Sequence, residues 1–216
     1  SPLVLRGRDF DLAMGEGDWH WRGRSASGEA LSLHNLPLLD LPMENAALAL
    51  QVYALLDLPW QHKELVAALL RTRVTGRLDR RTVQWHGKER HLLLDVGHNP
   101  HASQYLASRL RAAPPQGVRH AVFGLLADKD LDGVLEPLLG LVQDWAVAPL
   151  PTGRSRPVEE LEAALQARGA QVSCHGDIAA ALVAQCDAAG TDDEILVFGS
   201  FYSVADALEW LAKAAQ

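Results

Sequence analysis

The chain has 216 residues, 48% of them hydrophobic, enough for one large or two small globular domains and with no compositional case for disorder. A formal net charge of −7 argues against a general binder of nucleic acid or of an anionic membrane surface, and no apolar run approaches the roughly 20 residues that cross a bilayer. Cys174 and Cys186 fall outside any CxxC spacing, so they indicate neither a zinc site nor a disulfide framework and fit a reducing cytoplasm.

The start, Ser1-Pro2-Leu3, is neither a signal peptide nor a natural initiator, and we expect the chain to begin in mid-protein. Residues 3–10, 19–21 and 31–34 read as short extended segments separated by Gly15-Glu16-Gly17-Asp18 and Ser25-Ala26-Ser27-Gly28, which are turn compositions. Three such strands form an antiparallel meander that needs a helix or more sheet to cover it. Pro42 then precedes an Ala- and Leu-rich stretch whose i, i+3, i+4 apolar spacing predicts a helix over 44–56, followed by a second over 61–71. Polar, basic residues 72–81, with Thr75-Gly76-Arg77, read as the connection into a new domain. We expect the first domain to cover 1–72 and the second 73–216.

Beyond the connection strands alternate with helices. Strands are predicted over 82–85, 91–95, 120–124, 144–148, 171–174 and 195–198, and helices over 100–112, 131–141, 157–167, 178–188 and 203–214. That order predicts an α/β fold, a Rossmann-like doubly wound parallel sheet with helices on both faces.

The most informative stretch is Leu92-Leu93-Leu94-Asp95-Val96-Gly97-His98-Asn99-Pro100. Three leucines suit a strand buried on both faces, and Pro100 suits the first turn of a helix. Ligands of open α/β sheets bind beyond the carboxyl ends of the strands, where Asp95, His98 and Asn99 would stand. Read locally, Asp95 and Asn99 serve equally well as helix caps and His98 as a loop histidine. Two further strand ends run into Leu125-Leu126-Ala127-Asp128-Lys129-Asp130 and Gly199-Ser200-Phe201-Tyr202. Lys129 could hold a carboxylate or phosphate, and Ser200 could bond the same ligand; the alternatives are a solvated charge and a helix cap. Arg77, too, reads as an exposed linker charge when taken alone.

Several chemistries are excluded. The chain carries no GxGxxG, no GxSxG, no HExxH and no GxxxxGK[ST]. Asp95, His98 and Ser200 invite a hydrolase triad, but Gly199-Ser200 lacks the nucleophile-elbow pattern.

Taken together, Glu44-Asn45-Ala46-Ala47-Leu48-Ala49-Leu50, Thr75-Gly76-Arg77, Asp95-Val96-Gly97-His98-Asn99-Pro100-His101-Ala102, Val122-Phe123-Gly124-Leu125-Leu126-Ala127-Asp128-Lys129-Asp130 and Phe198-Gly199-Ser200-Phe201-Tyr202 occur in an order that resembles the bacterial bifunctional dihydrofolate synthase/folylpolyglutamate synthases, a Mur ligase-like family. The resemblance covers the whole chain but only about the second half of a family member. It implies the tail of a central ATPase domain followed by a glutamate-ligase domain. The implied reaction activates the carboxylate of dihydropteroate or a folate with ATP as an acyl phosphate, which the amino group of L-glutamate then displaces. By this resemblance Asn45, Arg77 and Asp95 correspond to ATP contacts, and His98, Lys129 and Ser200 to positions associated with the incoming glutamate. Mg2+ ligands and the phosphate loop are expected in the amino-terminal half, leaving this chain nearly inert alone. A cytoplasmic enzyme, monomeric at full length, is implied. The sequence departs from the pattern at Gly97, where alanine is frequent, and at Pro42-Met43-Glu44. Two other readings stay open: another Mur-type amino acid ligase, and a noncatalytic Rossmann-like nucleotide-binding module.

Overall fold

Trp19, Trp21, Leu33 and Leu36 are all buried, and their places on two neighbouring strands decide how the first part of the chain folds. In a computed structural model, which describes residues 3–214, the chain divides into two units, Ser1–Val74 and Thr75–Gln216. In the first, β1 (Asp11–Met14), β2 (Asp18–Arg24) and β3 (Ala30–Pro37) form an antiparallel meander in that order. The inward residues of β2 and β3 bury a face against α1 (Met43–Leu55), with Ala47 and Leu50 opposite. Both indoles are satisfied there: Trp19 Nε1 donates to the Pro37 carbonyl and Trp21 Nε1 to that of Ala47, at 2.9 and 3.0 Å. Buried Gln51 on α1 accepts from Arg24 N–H and donates to Arg24 C=O, so the helix is tied to the edge of β2 in both directions. A second helix, α2 (His62–Arg71), buries Leu65 in the same core.

The extended segment expected over 3–10 is not a strand. Asp9 accepts from Leu5 N–H and from the Arg8 guanidinium, and the chain turns through Gly7 at φ +84° before β1 begins at Asp11. The local side-chain bonds of Asp outcompete a ladder at such a place.

The second unit contains one six-stranded sheet in the order β4-β5-β9-β6-β7-β8. Its strands are β4 (Asp79–Trp85), β5 (Lys88–Asp95), β6 (Arg119–Phe123), β7 (Asp144–Val147), β8 (Gln171–Cys174) and β9 (Glu194–Phe198). The helices are α3 (Pro100–Ala112), α4 (Leu131–Leu135), α5 (Val158–Gln166), α6 (Ile178–Ala188) and α7 (Phe201–Ala214). Alternation along the strands sends residues to opposite faces. Leu93, Phe123, Trp145, Leu196 and Phe198 pack with α3, α4 and α5, while Leu92, Leu94, Val122, Ile195 and Val197 pack with α6 and α7. The doubly wound expectation is therefore met.

Two details differ. The sheet is not wholly parallel: β4 runs antiparallel to β5. His86 and Gly87 both adopt positive φ, +49° and +75°, which makes a two-residue hairpin turn of the kind that suits twisted antiparallel strands. β4 forms one edge of the sheet, with Arg80 paired to Glu194 and Arg81 to Asp79. The helix expected over 131–141 stops at Leu135 and resumes only as a 3-10 turn at Leu139–Leu141, because Pro137 has no N–H with which to continue the ladder. No helix among the described residues is long and apolar enough to cross a membrane.

The glycine that ends β9 is required by space as well as by backbone. Gly199 has φ +103°, and an added Cβ would fall onto the Gly124 carbonyl oxygen and within 2.7 Å of the Phe123 ring. At the opposite, amino edge of the sheet a charge network ties three elements. His120 Nδ1 lies 2.6 Å from Asp144 Oδ2, and its Nε2 lies 3.3 Å from Asp193 Oδ2. Gln185 donates to Asp144, while Val118 and Gly190 N–H groups donate to Asp193. The hydrogen bond to Asp144 is the main force raising the His120 pKa, against burial. Burial pushes both aspartates up, but their hydrogen bonds more than offset it and leave them lowered.

Two outcomes follow for stability. Gly199→Ala should cost about 2–3 kcal/mol in urea unfolding, since neither the positive φ nor the carbonyl can yield cheaply. A folded-state pKa raised above the unfolded value contributes stability that is full below the unfolded pKa and lost as pH rises through the folded one. His120→Gln should therefore lose about 1–3 kcal/mol near pH 6, and less by pH 9, as unfolding series at the two pH values would read.

Candidate functional site

The parallel strands end level with one another. In register, Asp95 of β5 lies beside Phe198 of β9, and Phe198 beside Phe123 of β6. Because β9 is inserted between two strands that α3 connects, the chain leaves the sheet in different directions from adjacent ends, the arrangement at which open α/β sheets bind ligands. The ends of β5, β6 and β9 and the loops that follow them carry four of the six residues singled out from sequence, Asp95, His98, Lys129 and Ser200, while Arg77 lies in the turn before β4.

Asp95 is buried, and its two oxygens have separate duties. Oδ1 accepts from Gly97 N–H at 2.7 Å, and Oδ2 accepts from Leu78 N–H at 3.0 Å. The carboxylate thereby joins the strand exit to the turn before β4. That turn is tight: Gly76 has φ +72°, Leu78 has φ +45°, and Gly76 C=O accepts from Val96 N–H. A Cβ on Gly76 would stand 2.9 Å from Val204 and 3.0 Å from Val96. Arg77, between the two, places Nη1 3.9 Å from Asp95 Oδ1 and remains partly exposed. Burial is the largest influence on Asp95 and pushes its pKa above the usual carboxylate range, against the two N–H donors and the Arg77 charge.

Asn99, not Asp95, caps α3: its side chain accepts from Ala102 N–H at 2.9 Å, with Pro100 in the first turn. His98, half-buried, has Nδ1 2.9 Å from the Val96 carbonyl. A carbonyl only accepts, so Nδ1 carries the proton and the neutral ring offers Nε2 as an acceptor. The ring stands 6.1 Å from that of Phe201, which is largely exposed at the start of α7. Ser200 is buried, and its Oγ accepts from Tyr202 N–H at 3.1 Å, a capping bond that leaves the hydroxyl proton for another partner. Ser203 Oγ reaches the Gly124 carbonyl at 3.4 Å, drawing the ends of β9 and β6 together.

Lys129 lies in the loop after β6, with Nζ 3.1 Å from Asp128 Oδ2, and Arg154 reaches the other oxygen of Asp128 at 3.0 Å. The hydrogen bond from Lys129, then that from Arg154, holds the Asp128 carboxyl below its ordinary value. Asn45 is exposed in the first turn of α1, in the first unit.

The structure thus brings Arg77 to Asp95 and His98 to the start of α7, while Lys129 and Arg154 share Asp128. Phe201, Arg154 and Arg156 were not singled out from the sequence. Phe201 follows Gly199-Ser200 directly and could have been marked; Arg154 and Arg156 act across 26 to 29 positions and left no local signal. Among the described residues no group of three or more His, Cys, Asp or Glu side chains is gathered as a metal would need.

Known proteins with this arrangement are specific. The Mur ligase, glutamate ligase domain family matches residues 76–201, which include Arg77, Asp95, His98, Lys129, Ser200 and Phe201. Dihydrofolate synthase/folylpolyglutamate synthase of Escherichia coli (strain K12) is 34% identical over 207 residues, 96% of this chain and 46% of the relative. The structure of Escherichia coli FolC in complex with DHPP and ADP superimposes with a TM-score of 0.80 at 32% identity, over 98% of this chain and 48% of that one. A bifunctional folylpolyglutamate synthase/dihydrofolate synthase with Mn, AMPPNP and L-glutamate bound gives the same TM-score, 0.80, and the same coverage, 98% and 48%. The chain spans about half the length of the relatives it matches. With more than half of its residues covered by that one domain family and the fold superimposing throughout, the chain belongs to the Mur ligase family and carries its glutamate ligase domain.

Proposed function

We propose that the chain is the carboxy-terminal portion of an enzyme that joins L-glutamate to dihydropteroate and to folylpolyglutamate with ATP, passing through an acyl phosphate. Residues 1–72 would complete a central ATPase domain and 73–216 form the glutamate-ligase domain. The observation that carries this reading is that the matched domain, 76–201, holds three strand ends whose loops present an acceptor imidazole, a buried hydroxyl and an ammonium.

The chemistry fits three roles. L-Glutamate brings an amino group and two carboxylates. His98 Nε2, an acceptor in the neutral ring, suits the amino group, which must shed a proton as its nitrogen bonds to the acyl carbon and phosphate leaves. Lys129 suits a carboxylate, and Ser200 can donate its hydroxyl proton to the same ligand while still capping α7. Arg77 suits the phosphates of ATP, with Asp95 fixing the turn that carries it and offering remaining lone pairs to ribose hydroxyls; Asn45 is assigned to the adenine edge. Among the described residues no side-chain cluster forms a cation site, and the Mg2+ ligands are assigned to the amino-terminal half. A cytoplasmic protein, monomeric at full length, completes the reading.

The first experiment is the intact mass of the natural protein carrying this chain, followed by assay of that species for ATP-dependent joining of glutamate to dihydropteroate. An active species near twice the 23.5 kDa of this chain supports the ligase. A 23.5 kDa species that binds nucleotide without turnover favours a noncatalytic module instead. In the active protein, Arg77→Ala should raise the ATP requirement about tenfold or more and the glutamate requirement little; equal effects on both would remove Arg77 from the nucleotide. Lys129→Ala should do the reverse, and an unchanged glutamate dependence would take Lys129 out of the site.

A further inference from the structure

A lysine that binds a substrate carboxylate gains little if its loop must be ordered each time a ligand arrives, because that ordering is drawn from the binding energy. The loop after β6 has no helix or strand of its own between Gly124 and the start of α4, so something else must hold Lys129. The holder is the following crossover. Leu126 bridges Ser155, Ala127 N–H donates to Arg154 C=O, and Arg156 N–H donates to Leu125 C=O.

The decisive group is the Arg156 side chain. One nitrogen, Nη2, donates to two carbonyls of the neighbouring loop, Ala127 at 2.8 Å and Lys129 at 2.7 Å. These peptides lie on either side of the Asp128-Lys129 pair, so a single planar group fixes both ends of it. Nη1 donates to Glu160 Oε2 at 2.9 Å on the first turns of α5, which anchors the guanidinium to a helix. The side chain is only 14% exposed, and its Nε is fully buried with no hydrogen-bond partner. A buried guanidinium with one donor unsatisfied is costly, and it is tolerated where the remaining donors do something the fold needs.

We propose that Arg156 is the positioning residue of the amino acid site: it holds Lys129 where the incoming carboxylate is met, without touching the ligand itself. This rests on the assignment of Lys129 to glutamate made above. Asp128 completes the device. It is shared between Lys129 and Arg154, so when the ammonium turns to a ligand carboxylate, Asp128 keeps a cation at 3.0 Å and is not left unpaired. Lysine at 156 would keep the charge but lose the rigid fork that reaches two carbonyls and a carboxylate at once.

The test uses the natural protein carrying this chain, with L-glutamate as the varied ligand. Arg156→Ala should raise the glutamate KM at least tenfold while kcat and the ATP KM stay within twofold. The double variant Arg156→Ala/Lys129→Ala should be no worse than Lys129→Ala alone, because Arg156 acts through the lysine. Amide hydrogen exchange over residues 126–130 should quicken in Arg156→Ala. An unchanged glutamate KM, or effects of the two substitutions that multiply, would overturn the proposal. Should Lys129→Ala itself leave the glutamate KM unchanged, the underlying assignment fails and the proposal with it. If Arg156→Ala does not fold, Glu160→Gln and Arg156→Lys decide the matter: each should raise the glutamate KM two- to fivefold, and wild-type values in both would refute the role of the fork.

Discussion

The insertion of β9 between β5 and β6 governs the second unit. Ile195, Leu196, Val197 and Phe198 are all fully buried, and they hydrogen-bond to a strand on each side and pack against helices on each face. Four consecutive apolar residues are what a strand with no exposed face requires. Their position sets Asp95, Phe198 and Phe123 level, and the level ends are why loops that leave the sheet 28 and 103 residues beyond Asp95 come to share one edge with the loop after it. Gly199 is the mechanical corollary, since any side chain there would push β9 away from the Gly124 carbonyl.

Around that strand the sheet has two unlike ends. Its amino edge holds the His120, Asp144 and Asp193 network, whose members are satisfied by one another and by Gln185, Val118 and Gly190. Its carboxyl edge holds groups with capacity to spare: the Nε2 of His98, the hydroxyl proton of Ser200, a partly exposed Arg77. Polar groups satisfied by one another stabilise the fold, whereas accessible groups with a donor or acceptor to spare remain able to bond a ligand. The distribution of hydrogen bonds, more than the identity of any single residue, distinguishes the two ends of the sheet.

The sequence was most legible where the determining interactions are local. The run Leu92–Leu94, the cap at Asn99 and the proline after it lie within nine residues, and β5 and α3 appear where those residues put them. Asp95 was recognisable as a group of interest, but its bond to Leu78, 17 residues away, was not. The direction of β4 turned on two positive φ values at His86 and Gly87, of which histidine gives no warning. Arg156 is the extreme case: its bond to Glu160 is a local pair, but its part is defined by two carbonyls 27 and 29 positions distant. Non-local hydrogen bonds to backbone carry no residue-type signature, because every residue has a carbonyl.

Among the described residues the open sheet ends in two strands, β4 and β8, each paired on one side only, and such rims are where chains of different molecules join into aggregates. One rim is β8, only four residues long, and the other is β4, whose consecutive Arg80 and Arg81 put a guanidinium on each face of the strand. A foreign strand approaching β4 would have to strip water from both cations and contest Glu194 and Asp79 for them. The consequence is colloidal: a short strand at one rim and charged side chains at the other disfavour growth of the sheet by strand addition.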